Sequence, residues 1–217
     1  MPRLTIDRHA IKRAHIIDSA EICFAHAGFH RTTMQDIARQ AGLSAGALYV
    51  YFDSKEALIE GIVARDREEI ADILAELGRS GDFFGAMEQA LQVCVLDRPP
   101  HKVGLFVEII AEAHRNERVA QSLAHCDRVL RAMLADLITQ ARDDGRLPHG
   151  LPADRLALVM AMLGDAMFVR RAGSADFDGA AVAPVILAMV RQLIMMEPGQ
   201  AEAGRPVLPA EKRGQVQ

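Results

Sequence analysis

Apolar residues recur three or four positions apart along most of this chain, which is the spacing of helices that bury one face. In residues 11–27, for example, Ile16, Ala20, Phe24 and Ala27 fall on one stripe. No segment alternates Val, Ile and Thr with polar residues as a half-buried strand would. The pattern therefore predicts an all-α fold of about nine helices. The predicted ranges are 11–27, 34–41, 45–52, 55–77, 83–96, 101–114, 117–142, 153–171 and 179–196.

Residues 31–58 predict two short helices joined by a tight turn, with a third helix following at once. Thr32 or Thr33 can cap the first helix, because a hydroxyl can accept from its unpaired backbone N–H groups. Gly42 suits the left-handed conformation that ends a helix, and Ser44 can cap the next one. This order of helix, glycine turn and capped short helix is that of a DNA-binding helix-turn-helix.

The second of these helices, residues 45–52, favours binding over packing alone. Its first three residues are alanine, glycine and alanine, so its N-terminal end can approach another surface closely. The only two tyrosines of the sequence, Tyr49 and Tyr51, also lie on it. A phenol can bind a phosphate oxygen, and a helix with small residues can enter a major groove. The alternative is an ordinary helical hairpin that carries surface tyrosines.

The chemistry of the side chains predicts which residues contact DNA. Gln35 offers a donor and an acceptor that suit the edge of adenine. Thr33, Tyr49, Tyr51 and Lys55 are predicted to hold phosphates, by side chain or by a helix N-terminus. The predicted DNA-binding residues are Thr33, Gln35, Ser44, Ala45, Gly46, Ala47, Tyr49, Val50, Tyr51 and Lys55.

The helices predicted over residues 153–171 and 179–196 are apolar on more than one face. A helix that lines only its own core needs roughly a third of its circumference apolar. The excess predicts a homodimer in which these helices pair with their copies, and two-fold pairing would match a palindromic operator. The alternative is that both helices lie deep in the bundle.

Charge changes this picture little. The net charge is −4, whereas nucleic-acid-binding proteins are often basic. Residues 1–55 hold seven Lys and Arg against five Asp and Glu, so placement matters more than the total. Arg31, Lys55 and a basic arm from Arg3 to Arg13 can cluster around the second helix. A weak net charge implies modest non-specific affinity and does not exclude double-stranded DNA as a partner.

Composition bounds the setting. With 217 residues, half of them hydrophobic, the chain can bury a core in one or two domains. The N-terminus lacks the apolar segment of a signal peptide, and no apolar stretch approaches the roughly 20 residues of a membrane span. Three widely separated cysteines do not predict a disulfide framework. We therefore expect a reduced, cytoplasmic setting and no membrane partner.

Residues 13–58 resemble the N-terminal pattern of the TetR (TetR/AcrR) family of bacterial transcriptional repressors. Family members often carry His where Tyr51 stands, and either side chain can donate to a phosphate. Beyond residue 60 the resemblance is one of layout only. The matching positions are Arg13, Ile16, Ile17, Ala20, Phe24, Gly28, Phe29, Thr32, Thr33, Ile37, Ala38, Ala41, Gly42, Ser44, Gly46, Leu48, Tyr49, Tyr51, Phe52, Ser54, Lys55 and Leu58.

The resemblance implies three helices for DNA, a connecting helix and a bundle that binds a small-molecule inducer. We accordingly predict a DNA-binding domain over 1–54, a connecting helix over 55–78, a ligand-binding and dimerisation domain over 79–196 and a disordered tail over 197–217. The implied function is a ligand-responsive repressor that a small hydrophobic inducer releases from a palindromic operator. An enzyme or a pure interaction module is the alternative.

The implied inducer site would be an apolar, deformable pocket, because methionine side chains adapt to varied shapes. The alternative is that these residues are plain core, which is the more common origin of a methionine-rich stripe at helical spacing. The predicted ligand-binding residues are Met87, Leu91, Phe106, Ile110, Met133, Leu137, Met160, Asp165, Met167 and Phe168.

Three acidic residues need an interpretation. Asp165 stands in an apolar run, where an unpaired carboxylate is costly. It either pairs with a base such as Arg170 or an arginine of a neighbouring subunit, or it faces a cavity. Glu108 and Glu112 are interpreted as a solvated face or as partners of Arg115.

No catalytic motif accompanies these acids. The sequence contains no HExxH, no CxxC, no phosphate-binding glycine loop and no nucleophile elbow. We therefore predict a protein that is not an enzyme, with no cofactor and no bound metal.

Overall fold

The computed structural model describes residues 8–196, and over that range it contains nine α-helices and no strand, which confirms the all-α prediction. Residues 1–7, including Arg3, and the predicted tail over 197–217 lie outside the described residues. The helices are α1 (Arg8–Ala27), α2 (Met34–Gln40), α3 (Ala45–Tyr49), α4 (Lys55–Gly78), α5 (Phe83–Leu91), α6 (Pro100–Ala113), α7 (Glu117–Asp143), α8 (Ala153–Gly173) and α9 (Gly179–Met195).

Two helices end three or more residues earlier than predicted. α3 stops at Tyr49 because the N–H groups of Tyr51 and Phe52 both donate to the carbonyl of Leu48, at 2.9 and 3.1 Å, and close a turn. α5 stops at Leu91, and Gln92–Leu96 continues as a π-helix. A π-helix closes each turn with one residue more than an α-helix, and five residues are too few for sequence spacing to tell the two apart.

One apolar core joins the first three helices to the bundle. Phe24, Ile37 and Leu48 are fully buried in it, together with Ile59 of α4. The same cluster includes Leu105 and Ile109 of α6 and Val119 of α7. α6 therefore packs directly on α1, and the N-terminal helices touch the bundle by more than the connecting helix α4.

A second core lies at the far end of the bundle, where α7, α8 and α9 meet. Its buried residues are Ile138, Ala141, Leu147, Leu156, Val190 and Ile194. Arg142 closes this end, because its guanidinium donates to the carbonyl oxygens of Pro148 at 3.1 Å and Leu151 at 2.8 Å. These bonds explain why the glycine- and proline-rich loop after α7 is ordered without regular structure.

Ion pairs cross the boundary between α1, α4 and α6. The guanidinium of Arg65 binds Asp18 and the buried Glu21. Lys102 of α6 approaches Glu21 at 3.8 Å and Asp66 at 3.3 Å. We call this set the boundary network; its members are Asp18, Glu21, Arg65, Asp66, Glu69, Arg98, His101 and Lys102.

The interpretation of Glu108 and Glu112 as a solvated face holds for Glu108, which is exposed, and is wrong for Glu112. Both carboxylates contact the turn between α1 and α2 and not Arg115. Glu108 accepts a hydrogen bond from the backbone N–H of Phe29 at 3.0 Å. Glu112 is buried, and its carboxylate lies 3.2 Å from Nε2 of His30. Sequence distance hid these contacts, because the partners belong to the turn between α1 and α2.

Candidate DNA-binding surface and ligand cavity

The start of α2 is fixed by a capping box. The Thr33 hydroxyl accepts from the backbone N–H of Asp36 at 3.2 Å, and the Asp36 carboxylate accepts from the N–H of Thr33 at 3.1 Å. Hydrogen bonds from the Thr33 side chain and then its backbone lower the pKa of Asp36. Thr32 is buried and donates to the carbonyl of Gly28 at 2.8 Å, so Thr33 is the cap.

The turn into α3 follows the predicted chemistry. Gly42 has φ +65°, in the left-handed region that favours glycine, and a Cβ there would meet nothing within 4 Å. Leu43 donates from its N–H to the carbonyl of Ala38 at 2.8 Å, which closes the end of α2. Ser44 then accepts from the N–H of Ala47 at 3.2 Å and caps α3.

α3 separates an inward from an outward face. Leu48 is fully buried, whereas Tyr49 is 54% exposed and Val50 is 75% exposed. Of the other predicted DNA contacts, Thr33, Gln35, Ser44 and Gly46 are exposed, and Ala45 and Ala47 are half-buried. These residues lie on or beside α2 and α3, two helices in contact, and we call them together the reading face.

Tyr51 and Lys55 differ from the other predicted contacts. Tyr51 is half-buried, and its ring centroid lies 4.6 Å from that of His9 on α1. The ammonium of Lys55 donates to the carbonyl of Phe29 at 2.6 Å and lies 4.3 Å above the Phe29 ring. A phosphate contact by either residue stays a prediction, and removing Lys55 would also loosen the turn before α2.

Side chains from two helices, α4 and α6, hold the turn of residues 28–30, here called the Phe29 turn. Gly28 has φ +79°, and a Cβ there would stand 3.3 Å from the carboxylate of Glu108. Lys55 of α4 binds the carbonyl side of the turn, while Glu108 and Glu112 of α6 bind Phe29 and His30. α6 therefore contacts the helix-turn-helix without passing through α4.

The basic side chains near the reading face have local partners of their own. The guanidinium of Arg13 lies 4.8 Å above the ring of Phe52, and Arg31 donates to the carbonyl of Ala27 at 2.8 Å. Both residues are exposed, so their charge faces solvent beside α2 and α3. Arg3, which was expected in the same cluster, lies outside the described residues.

A cavity of about 610 Å³ lies inside the bundle. Seven of the ten predicted ligand-binding residues line it, namely Met87, Leu91, Phe106, Ile110, Met160, Asp165 and Phe168. Leu137 instead borders a neighbouring cavity of about 50 Å³. Met133 lines neither of these two cavities, and Met167 is buried at only 2% exposure in the core. Helical spacing alone could not say which side of α7 and α8 faces the cavity.

Polar groups lie on one part of the otherwise apolar wall. Arg131 binds Asp127 with three hydrogen bonds of 3.0, 2.9 and 2.6 Å. Asp165 also lines the cavity, but no base among residues 8–196 pairs with it, so the proposed partner Arg170 is not its counter-ion within one subunit. Partial burial, and then the charge of Asp127, raise the pKa of Asp165, although much of the residue is exposed. Sequence reasoning missed Asp127 and Arg131, although Asp and Arg four apart on one helix are a recognisable signal.

Two cysteines on the cavity wall, Cys94 and Cys126, have thiols that are not activated. Desolvation raises the pKa of Cys126 to about 11, and desolvation also raises the pKa of Cys94. Both thiols therefore stay protonated near neutral pH, and neither is an activated nucleophile. Within residues 8–196, no group of three or more His, Cys, Asp or Glu is placed to hold a metal ion.

A stripe of exposed apolar side chains runs along α8 and α9. Its members are Leu158, Val159, Met162 and Val169 on α8 and Val182, Val185, Met189 and Met195 on α9. We call it the α8–α9 stripe. Large exposed apolar patches commonly mark association surfaces. None of the helices in residues 8–196 is long and apolar enough to cross a membrane.

Comparison with known proteins points to one group. A family model described as "Bacterial regulatory proteins, tetR family" matches residues 16–62. The HTH-type transcriptional regulator UidR of Escherichia coli (strain K12) is 30% identical over 135 residues, which are 62% of this chain and 68% of that protein. The HTH-type transcriptional repressor Rv1474c of Mycobacterium tuberculosis is 24% identical over 179 residues, which are 81% and 90% of the two chains.

A solved structure extends the likeness over the whole bundle. Salmonella enterica GusR superposes with a TM-score of 0.76 at 26% sequence identity. The match covers 90% of this chain and 100% of that chain. The helix-turn-helix and the bundle behind it are therefore shared with that protein as one arrangement.

Proposed function

Because this chain belongs to the TetR family of bacterial transcriptional regulators, we propose that it is a repressor which leaves a palindromic operator when a small hydrophobic molecule fills the bundle cavity. As a helix-turn-helix regulator it is not an enzyme. The repressor named among its relatives supports repression. The observation that carries the proposal is that α6 both lines the cavity and holds the turn before the reading face.

The docking geometry follows from the reading face. The small N-terminal residues of α3 enter the major groove, and Gln35 of α2 reaches a base edge. Tyr49 and the capped N-termini of α2 and α3 hold phosphates on either side.

We keep residues 1–54 as the DNA-binding domain, 55–78 as the connecting helix and 79–196 as the ligand-binding and dimerisation domain. The protein works in the cytoplasm, where its operator lies.

Two copies are needed to read a palindrome. The α8–α9 stripe supplies the partner surface, since pairing these helices with their copies buries side chains that are otherwise half or more exposed, such as Met162, Val185 and Met189. The two reading faces then meet half-sites about one helical turn, roughly 34–36 Å, apart. A change of a few ångströms in that separation breaks simultaneous contact.

Ligand binding reaches the reading face along α4 and α6. Ile70 and Leu74 of α4 and Phe106 and Ile110 of α6 all line the cavity. A ligand that moves α6 pulls on the Phe29 turn through Glu108, and one that moves α4 pulls on it through Lys55. Such a ligand weakens DNA binding only if it favours the displaced conformation over the DNA-bound one.

Mutations of base-contacting and phosphate-contacting residues are expected to change DNA binding in different ways. Replacing Gln35 with alanine should change the base preference at one operator position by about 1–3 kcal/mol. Replacing Tyr49 with phenylalanine removes one phosphate bond and should weaken all sequences about equally. Competition mobility shifts with single-base operator variants measure both effects. A uniform loss for the Gln35 variant would mean that Gln35 does not read a base.

The proposed function is tested by whether a ligand releases the protein from its operator. A ligand that fills the cavity should raise the melting temperature of the free protein and lower its operator affinity by roughly 5- to 150-fold. Linkage requires that operator DNA weakens ligand binding by the same factor. Calorimetry with and without operator duplex measures both sides. If every stabilising ligand leaves operator affinity unchanged, the ligand-responsive mechanism is wrong even where DNA binding stands.

A further inference from the structure

The charged residues of the cavity wall leave one negative charge uncompensated. Asp127, Arg131 and Asp165 are the charged side chains that line it. Arg131 is held by Asp127 through both Nε and Nη2, so its charge is already matched. Asp165 lies at the solvent-facing edge of the wall, where it is exposed, and it has no base beside it within the described chain. A second carboxylate, that of Asp127, stands close enough to raise its pKa. A bound anion would meet this carboxylate and find no free base.

Aromatic rings stand on the same part of the wall. Phe168 follows Asp165 by three positions on α8, so the two side chains lie on neighbouring parts of one helix face. The ring of Phe106 from α6 packs against Phe168 with centroids 4.8 Å apart. The faces of aromatic rings attract organic cations, most strongly where water is excluded. Asp165, Phe106 and Phe168, here called the acidic corner, thus favour the same sign of ligand charge.

We propose that the bundle cavity takes an amphiphilic organic cation whose ammonium group lies in the acidic corner and whose apolar part fills the rest of the cavity. This inference rests on the proposed function, because it names the class of ligand for the same cavity. Apolar residues such as Leu91, Leu130 and Leu163 supply the remaining wall. A volume of about 610 Å³ falls in the range of sites for drug-sized ligands.

The position of Asp165 on α8 adds a second consequence. It follows Met162 by three positions and precedes Val169 by four, and both of those side chains belong to the α8–α9 stripe. Asp165 therefore lies between the cavity and the proposed dimer surface. Pairing of two copies would cover its solvent side, and a cation bound there would interact with it in a drier environment.

Three probes that share one alkyl chain test the sign of charge. We choose decyltrimethylammonium, decan-1-ol and decanoate, and we titrate each into the full-length protein by calorimetry, since the chain has no Trp for fluorescence. The wild-type protein should bind the cation about 10- to 100-fold more tightly than the alcohol, with decanoate weakest. Asp165→Asn should remove that preference, so that the variant binds decyltrimethylammonium and decan-1-ol with similar affinity. Asp154→Asn, on the exposed first turn of the same helix, should behave as the wild type.

Each outcome separates this inference from the proposed function. Equal or tighter binding of decan-1-ol or decanoate by the wild type, or no binding of the cation, would overturn the cation site. Loss of dimer on sedimentation of Asp165→Asn, without a cation preference in the wild type, would assign Asp165 to the subunit contact and also overturn it. If the cation binds as described but leaves operator affinity unchanged, the cation site stands and the ligand-responsive function fails.

Discussion

Replacing Met189 with arginine is expected to convert the protein to a monomer and to abolish its binding to a two-half-site operator. Met189 is 54% exposed and lies in the middle of the α8–α9 stripe. Two-fold pairing would bury the new charge without a partner, once in each subunit, at a cost of about 3–5 kcal/mol for each. A single reading face would then hold one half-site only.

Light scattering and operator mobility shifts measure these two effects. Gln140→Arg, which adds the same charge to an exposed position on α7, is the control and should stay dimeric. Leu193→Arg is a less clean test, because Leu193 is half-buried and packs on the bundle core, so its replacement also disturbs folding. A Met189→Arg protein that remained a dimer, or a wild-type monomer at micromolar concentration, would contradict the assembly.

Replacing Arg65 with alanine is expected to lower the free energy of unfolding by about 3 kcal/mol. The Glu21 carboxylate is only 6% exposed and would lose its closest counter-ion. His101 at 3.5 Å and Lys102 at 3.8 Å would remain, so the loss should fall at the lower end of the range for a broken buried pair. One Glu21 oxygen, Oε1, already lacks a hydrogen bond, so the carboxylate would have few remaining partners once Arg65 is removed.

Urea denaturation measures this loss, and Arg67→Ala is the control. Arg67 lies two residues along the same helix, and its ion pair is with the exposed Glu68 at 3.7 Å. The double variant Glu21→Met, Arg65→Met should recover much of the stability, since an apolar pair leaves no buried charge. Equal losses for Arg65→Ala and Arg67→Ala would show that the boundary network does not stabilise the fold.

Helix caps and turns could be predicted from the sequence, because their hydrogen-bonding partners lie close along the chain. Gly42 and Ser44 act within a few residues, and each has the role that its residue type predicted. The all-α fold was predictable for the same reason, because helical periodicity is a local property. The cap of α2 could be narrowed only to Thr32 or Thr33, and the buried bonds of Thr32 to Cys23 and Gly28 decide between them.

Contacts between segments that are distant along the chain could not be predicted from the sequence. Glu108 and Glu112 bind residues of a turn that are 79 and 82 positions earlier in the chain, and nothing in their own helix indicates these contacts. Lys55 was predicted to bind a phosphate, and the sequence did not indicate that its ammonium lies above the ring of Phe29. The cavity was predictable as an apolar stripe, but the side of α7 or α8 that faces it depends on helix rotation. That rotation separates Leu134, which lines the cavity, from its neighbour Met133, which does not. Met167 lies two turns beyond Met160 on the same face of α8, and it is buried in the core.

Selection from random DNA tests the central claim most directly, because one experiment yields both the bound sequence and its symmetry. The full-length protein is incubated with random duplex DNA, and the bound fraction is amplified, sequenced and footprinted. We expect an inverted repeat whose half-sites lie about one helical turn apart, with both halves protected. Gln35→Ala should relax the preference at one position in each half-site. Enrichment of no sequence, or of a single site without two-fold symmetry, would contradict the account of a dimeric regulator that reads a palindrome.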